Sequence, residues 1–166
     1  MTSTHALLDD VLVVDLSRAL AGPHATMMLG DLGARVIKIE KPSGGDDTRG
    51  WGPPFAYPEG ERCLLQSEST YFLSTNRNKE SIALDLNDAR DRGVLLDLVN
   101  RADVVVENFR TGVLERLGLG IASLPELNPR LVVLSITRLG PARPTDARAG
   151  SDQLAQGASS PLSPPR

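Results

Sequence analysis

The sequence predicts an α/β fold: a Rossmann-like, mostly parallel sheet with flanking helices. Three observations carry that expectation. Short apolar runs recur at Val11-Leu12-Val13-Val14, Val104-Val105-Val106 and Leu131-Val132-Val133-Leu134. They lack strict alternation, as strands covered on both faces do. Segments with helical apolar spacing fall between them, and Gly, Pro and Asn punctuate the junctions.

Residues 1–10 read as a lead-in. The run from Val11 ends at Asp15 as a first strand. Gly22-Pro23 makes the turn, and Pro23 suits a first helical turn because its missing N–H is not needed there. Ala25, Met28, Leu29 and Leu32 follow at i, i+3, i+4 and i+7, so they are the expected core face of a helix. Gly33 stops that helix. Arg35 to Glu40 forms the next strand, and the crossover length suits two parallel neighbours. Backbone N–H groups near His24 and Ala25 would then lie at the end of the first strand. Such a helix start favours anions, in the crevice where open α/β sheets bind ligands. A plain tight turn is the alternative, since neither G-x-G-x-x-G nor G-x-x-x-x-G-K-[ST] occurs.

From Pro42 to about Ser69 the chain is dense in Gly and Pro and reads as a long loop. Trp51 and Phe55 argue against full disorder, because aromatic rings find packing partners. Asp46, Asp47 and Arg49 are expected to hold this loop by local ion pairs, the alternative being that they face a polar ligand. A short helix or strand starts at Tyr71. Asn76 to Lys79 reads as a polar, solvated turn, although its two cations would also suit an anionic ligand. Ile82 to Leu86 reads as a strand, and Asn87-Asp88 as caps for the helix whose face is Leu95, Leu98, Val99 and Ala102. After the strand 104–106, a short helix runs from Thr111 to Leu117 and stops at Gly118. Ser123-Leu124-Pro125-Glu126 is a capping box opening another. Asn128-Pro129 ends it, and the last strand follows. Ser151 caps a possible further helix start, and residues 158–166 read as a disordered tail.

The chain has 166 residues, 40% of them hydrophobic and 4% aromatic, with a formal net charge of −3. That length suits one domain. The charge gives no bulk attraction to nucleic acid or to a membrane. Cys63 is the only cysteine, so no internal disulfide can form, in keeping with a reducing, cytoplasmic setting. The first ten residues lack the features of a signal peptide, and no segment reads as a membrane span. No metal-ligand cluster is expected.

Four blocks carry a family likeness: Asp15–Phe55, Ser69–Leu86, Ala102–Gly120 and Asn128–Thr137. In that order and spacing the sequence resembles the family III CoA-transferases, the group of formyl-CoA:oxalate and carnitine CoA-transferases and the α-methylacyl-CoA racemases. The likeness covers about residues 11–157, as the N-terminal part of the family's large domain. The block GGDDTRGWGPP is most similar to members using short dicarboxylic acyl-CoAs. The resemblance implies a Rossmann-like large domain, an interlocked homodimer, and acyl-CoA and a carboxylic acid as substrates, with no covalently held cofactor. Coenzyme A would lie over the carboxyl ends of the strands. Residue by residue, it implies that Ala19, Leu20 and Ala21 contact the CoA moiety, and that Lys41 and Arg116 meet its phosphates. Leu84 would line the adenine site, and Asn108 and Phe109 the pantetheine arm. Cations suit phosphates through charge-assisted hydrogen bonds.

The departures point the other way. The family's nucleophilic aspartate sits in a G-D motif beyond a G-[YH]-D segment. Gly150-Ser151-Asp152 matches the latter with serine in place of the aromatic or histidine, and the sequence ends at Arg166 before the former. Asp152 is therefore only a weak substitute nucleophile, and Ser151 weighs against racemase chemistry. Two expectations stand side by side. One is a CoA-transferase moving CoA from succinyl-CoA or another short dicarboxylic acyl-CoA to a free carboxylate, seen as an N-terminal portion. The other is a truncated product that binds CoA or dimerises without catalysis.

Overall fold

The computed structural model describes residues 6–57, 67–110, 112–120 and 124–137. Cys63, Thr111, Ser123, the Gly150-Ser151-Asp152 segment and the tail lie outside the described residues. The elements in chain order are β1 (Leu12–Asp15), α1 (Ala21–Asp31), β2 (Arg35–Glu40), β3 (Phe55–Ala56), β4 (Glu68–Ser69), α2 (Thr70–Asn76), β5 (Lys79–Ala83), α3 (Ala89–Arg101), β6 (Val104–Glu107), α4 (Val113–Arg116), α5 (Leu124–Leu127) and β7 (Val132–Ser135).

Five strands form one sheet in the order β5-β2-β1-β6-β7, and every pairing in it is parallel. The chain lays strands outward from β1 in one direction, then returns to build the other half from β6. The order therefore reverses beside β1, and ligands of open α/β sheets bind at the carboxyl edge of such a reversal. Successive residues of each strand face opposite layers. Val14, Ile37, Ile39 and Val105 face a layer containing Leu95, Val99 and Leu114, all nearly inaccessible to solvent. Val13, Val36 and Val106 pack on the other side with Ala34. Each buried Leu or Val contributes roughly 1.5–3 kcal/mol relative to exposure. Asp88 caps α3, accepting from the backbone N–H groups of Arg90 and Asp91. At the other end Asn128 Nδ2 reaches the Ala102 carbonyl at 2.8 Å.

Three expectations from sequence fail in an instructive way. The strand expected at Ile82–Leu86 is Lys79–Ala83, three residues earlier. It is an edge strand, where polar Lys79, Glu80 and Ser81 are tolerated and the apolar run is a poor guide. The expected core face of α1 is only half turned inward: Leu29 packs beside Val13 and Val36, while Met28 is 53% and Leu32 45% exposed. The buried residues are Gly22, Pro23, Thr26 and Met27, because small side chains let the helix approach β1 and Thr26 Oγ1 donates to Asp15 at 2.6 Å. The turn Asn76–Lys79 is not solvated at Lys79, whose side chain is 2% exposed and pairs with Asp15 at 3.1 Å.

The long loop is tied down, as its charges foretell. Asp46 Oδ1 accepts from Thr48 N–H and Oγ1, holding a 3-10 turn over Asp47–Gly50. Asp46 also pairs with buried Lys38 at 2.9 Å, and Arg49 bridges Glu40 and Glu68. Trp51 packs on Tyr71, ring centroids 5.1 Å apart. Among the described residues no helix is long and apolar enough to cross a membrane.

Candidate functional site

A cleft of about 100 Å³ opens where the carboxyl ends of β1, β2, β5 and β6 converge. The loops after these strands supply its walls. Leu16 and Arg18 follow β1, while Ile39, Glu40 and Lys41 end β2 or follow it. Leu84 to Asn87 follow β5, and Phe109 follows β6. Its floor is apolar, with Leu16 and Leu84 both nearly fully buried.

The walls are held rigidly. Asp91 Oδ2 accepts from Asp85 N–H at 2.7 Å, and Arg92 Nη1 donates to the carbonyls of Leu86 and Asn87. Glu107 accepts from Phe109 N–H at 2.7 Å and from the Ser135 hydroxyl, which fixes the ring's approach. Asn108 is spent on the opposite wall. Its Oδ1 accepts from Arg18 N–H at 2.9 Å, and its Nδ2 donates to the Arg18 carbonyl at 2.7 Å. The Arg18 guanidinium lies 5.8 Å from the centre of the Phe109 ring, within cation–π range.

Beneath the turn from Ser17 to Pro23 sit two buried lysines. Lys38 Nζ donates to the Ser17 carbonyl at 2.9 Å and Lys79 Nζ to the Pro23 carbonyl at 2.8 Å. Each brings a carboxylate, Asp46 and Asp15 respectively. The turn is thus fixed from below by charge-assisted donors, in a place where an unpaired ion would be costly. Burial pushes the Lys79 ammonium down to about 8, although Asp15 beside it works in the other direction.

Glu40 is the buried acid of the cleft. Burial alone would raise its pKa, but hydrogen bonds from Arg49, Ser81 and the Asp46 N–H outweigh that and hold it near about 2. A carboxyl with a lowered folded-state pKa supports the fold above its ordinary value of 4.5 and loses that support as pH falls through about 2. Unfolding titrations of wild type and Glu40→Gln are therefore expected to differ at pH 6 and to converge between pH 4.5 and about 2. A constant gap across that range would show that Glu40 is not the group linking the loop to pH.

Of the residues singled out from sequence, Lys41, Leu84 and Phe109 line the cleft together. Lys41 is ion-paired with Asp47 at 2.6 Å, both side chains well exposed. Ala19, Leu20 and Ala21 form the turn beside the cleft without lining it. Ala19 takes the left-handed conformation at φ 67°, and Leu20 is 51% exposed. Asn108 supports the wall rather than facing the cleft. Arg116 stands exposed on α4, away from the lining, and Asp152 lies outside the described residues. The N–H of His24 is taken by the Leu20 carbonyl at 2.8 Å, so it is not the free donor expected at the helix start. Sequence reasoning missed Arg18, Asp85 and Asn87, all in the lining. A signal was present for Arg18, which sits two residues past the end of the first strand. Among the described residues no group of three or more His, Cys, Asp or Glu side chains could hold a metal ion.

Comparison with known proteins follows the same lines. The family model described as CoA-transferase family III matches residues 8–163. Mouse succinyl-CoA:glutarate CoA-transferase is 48% identical over 148 residues, which is 89% of this chain and 32% of the relative. The succinate–glutarate CoA-transferase of Agrobacterium fabrum is 46% identical, over 92% of this chain and 37% of its own length. A crystal structure of a CAIB/BAIF family protein from Brucella suis superposes with a TM-score of 0.84 at 46% identity, covering 92% of this chain and 39% of that one. The chain thus spans about a third of the length of these curated relatives.

Proposed function

The chain belongs to CoA-transferase family III, and from that premise we propose that it forms the CoA-binding part of an enzyme that moves CoA from a short dicarboxylic acyl-CoA, such as succinyl-CoA, to a free carboxylate. One observation carries this reading. Lys41, Leu84 and Phe109 come from three separate strand ends and meet in one cleft at the carboxyl edge of the sheet. An apolar floor beside Arg18 and Lys41 suits a ligand with an anionic nucleotide end and an apolar arm. The relatives named for glutarate favour a dicarboxylic acceptor.

A second reading is favoured by the acids of the cleft. Glu40 is occupied by Arg49, Ser81 and the Asp46 N–H. Asp85 Oδ1 accepts from both nitrogens of Asn87. Neither is poised to attack a thioester, so these residues supply binding and not the nucleophile. On this reading the 166-residue chain binds CoA without turning it over.

Calorimetric titration with CoA and a coupled transferase assay with succinyl-CoA and glutarate separate the two. Binding is expected, with a stabilisation of about 2.7 kcal/mol at a CoA concentration a hundred times the dissociation constant. No heat and no rise in Tm at millimolar CoA would refute the cleft's assignment. Turnover above the protein-free blank would refute the binding-only reading.

A further inference from the structure

Two cations line the cleft, and they are not equivalent. Lys41 already has a carboxylate at 2.6 Å, that of Asp47. Arg18 has no carboxylate partner among the described residues, and it is exposed. A free surface arginine is ordinarily a solvated side chain, but the surroundings of Arg18 are built. Its backbone is gripped on both sides by one asparagine amide. The next residue, Ala19, turns the chain with a left-handed φ of 67°. Its guanidinium carbon lies 5.8 Å from the centre of the Phe109 ring, within cation–π range. That ring is in turn placed by the Glu107 carboxylate. A cation–π contact uses none of the guanidinium's N–H donors, and its fork of parallel donors matches a phosphate.

We infer that Arg18 is a phosphate-binding residue of this cleft. The inference rests on the CoA reading given above. It assigns the phosphate contact to the cation that is available without breaking an ion pair. At Lys41 a ligand anion competes with Asp47 for the ammonium, whereas at Arg18 no carboxylate of the described residues competes.

The test uses the 166-residue chain with three forms: wild type, Arg18→Gln and Arg18→Lys. The CoA dissociation constant is measured at low and at high NaCl. Arg18→Gln is expected to weaken CoA roughly tenfold at low salt, as the loss of one charge-assisted contact implies. The gap should narrow at high salt, because an exposed cation's attraction is screened. Arg18→Lys, which keeps the charge, should recover most of the affinity. Wild-type affinity in Arg18→Gln would overturn the inference and leave the CoA reading standing. A loss equal at every salt concentration, unrepaired by lysine, would also overturn it, since the side chain would then act through shape. Absence of CoA binding by wild type would remove the reading and this inference together.

Discussion

Asp15→Ala is expected to cost about 3–5 kcal/mol of stability at pH 7, the range found when one partner of a buried ion pair is removed. Asp15 ends β1 with no solvent exposure. It accepts from Ser17 N–H at 2.9 Å, from the Ser17 hydroxyl, from Thr26 Oγ1 at 2.6 Å and from Lys79 Nζ at 3.1 Å. One side chain therefore joins β1, the turn, α1 and β5. Its removal strands the Lys79 ammonium, which keeps only the Pro23 carbonyl and the Asn76 amide oxygen. The pH dependence identifies the cause. Lys79 has a folded pKa of about 8 against an ordinary 10.5. A depressed lysine contributes stability that is fully present above 10.5 and lost as pH falls through about 8. Without Asp15, which raises it, that pKa drops further, so the stranded lysine sheds its proton at a lower pH than in wild type and the variant regains more stability than wild type between pH 7 and 9. The penalty of Asp15→Ala should thus be smaller at pH 9 than at pH 7. Chemical denaturation at the two pH values measures it. An equal penalty would assign the loss to the hydroxyl and N–H partners alone. Asp15→Leu combined with Lys79→Met should recover part of the stability, because removing both charges removes both desolvation costs, while the buried Ser17 and Thr26 donors still lose their acceptor.

The same residues mark where sequence reading succeeds and where it stops. β1 and β6 are legible because strands covered on both faces need unbroken apolar runs; β7 carries such a run too, although it lies at the sheet edge with Val132 and Leu134 exposed. α3 is legible because Asp88 caps it and Leu95 and Val99 fall on one buried face. β5 is displaced because an edge strand does not need that pattern. α1 deceives in part, because Met28 and Leu32 of its apolar spacing face outward, while its close approach to β1 is set by the small size of Gly22 and the hydroxyl of Thr26. Lys79 reads as part of a solvated turn because its carboxylate, Asp15, is 64 residues away in sequence, and Lys38 is buried on the same terms against Asp46, 8 residues on. Burial of a charge is decided by that distant partner and not by its neighbours in the chain. The cleft is half legible for a related reason. Family likeness points to Lys41, Leu84 and Phe109, but it does not say that Asn108 holds Arg18 and that Asp47 holds Lys41.

Gly22→Ala is the second large effect, and it reaches function through backbone position. A Cβ at Gly22 would fall on Cβ and Oγ of Ser17, well inside the 3.0 Å that real Cβ contacts observe. Ser17 has no room to yield. It is completely buried and its hydroxyl is bound to Asp15. The start of α1 must therefore move away from the end of β1, which shifts the Ser17–Pro23 turn and the Arg18 wall with it. An overpacked site of this kind costs about 1–3 kcal/mol. CoA affinity should fall as well, because the turn that carries Arg18 is displaced. Gly93→Ala serves as the contrast. Gly93 lies in α3 with open space where its Cβ would stand, so alanine there should stabilise by up to about 1 kcal/mol through helix propensity and leave CoA affinity unchanged. Ser17→Gly added to Gly22→Ala removes the clash and should restore part of the affinity, less the hydroxyl that Asp15 loses. If the double variant binds CoA no better than Gly22→Ala alone, the close approach of α1 to β1 is not what shapes the cleft. If it recovers, the glycine at this turn is required by the space between helix and strand that the Arg18 wall depends on.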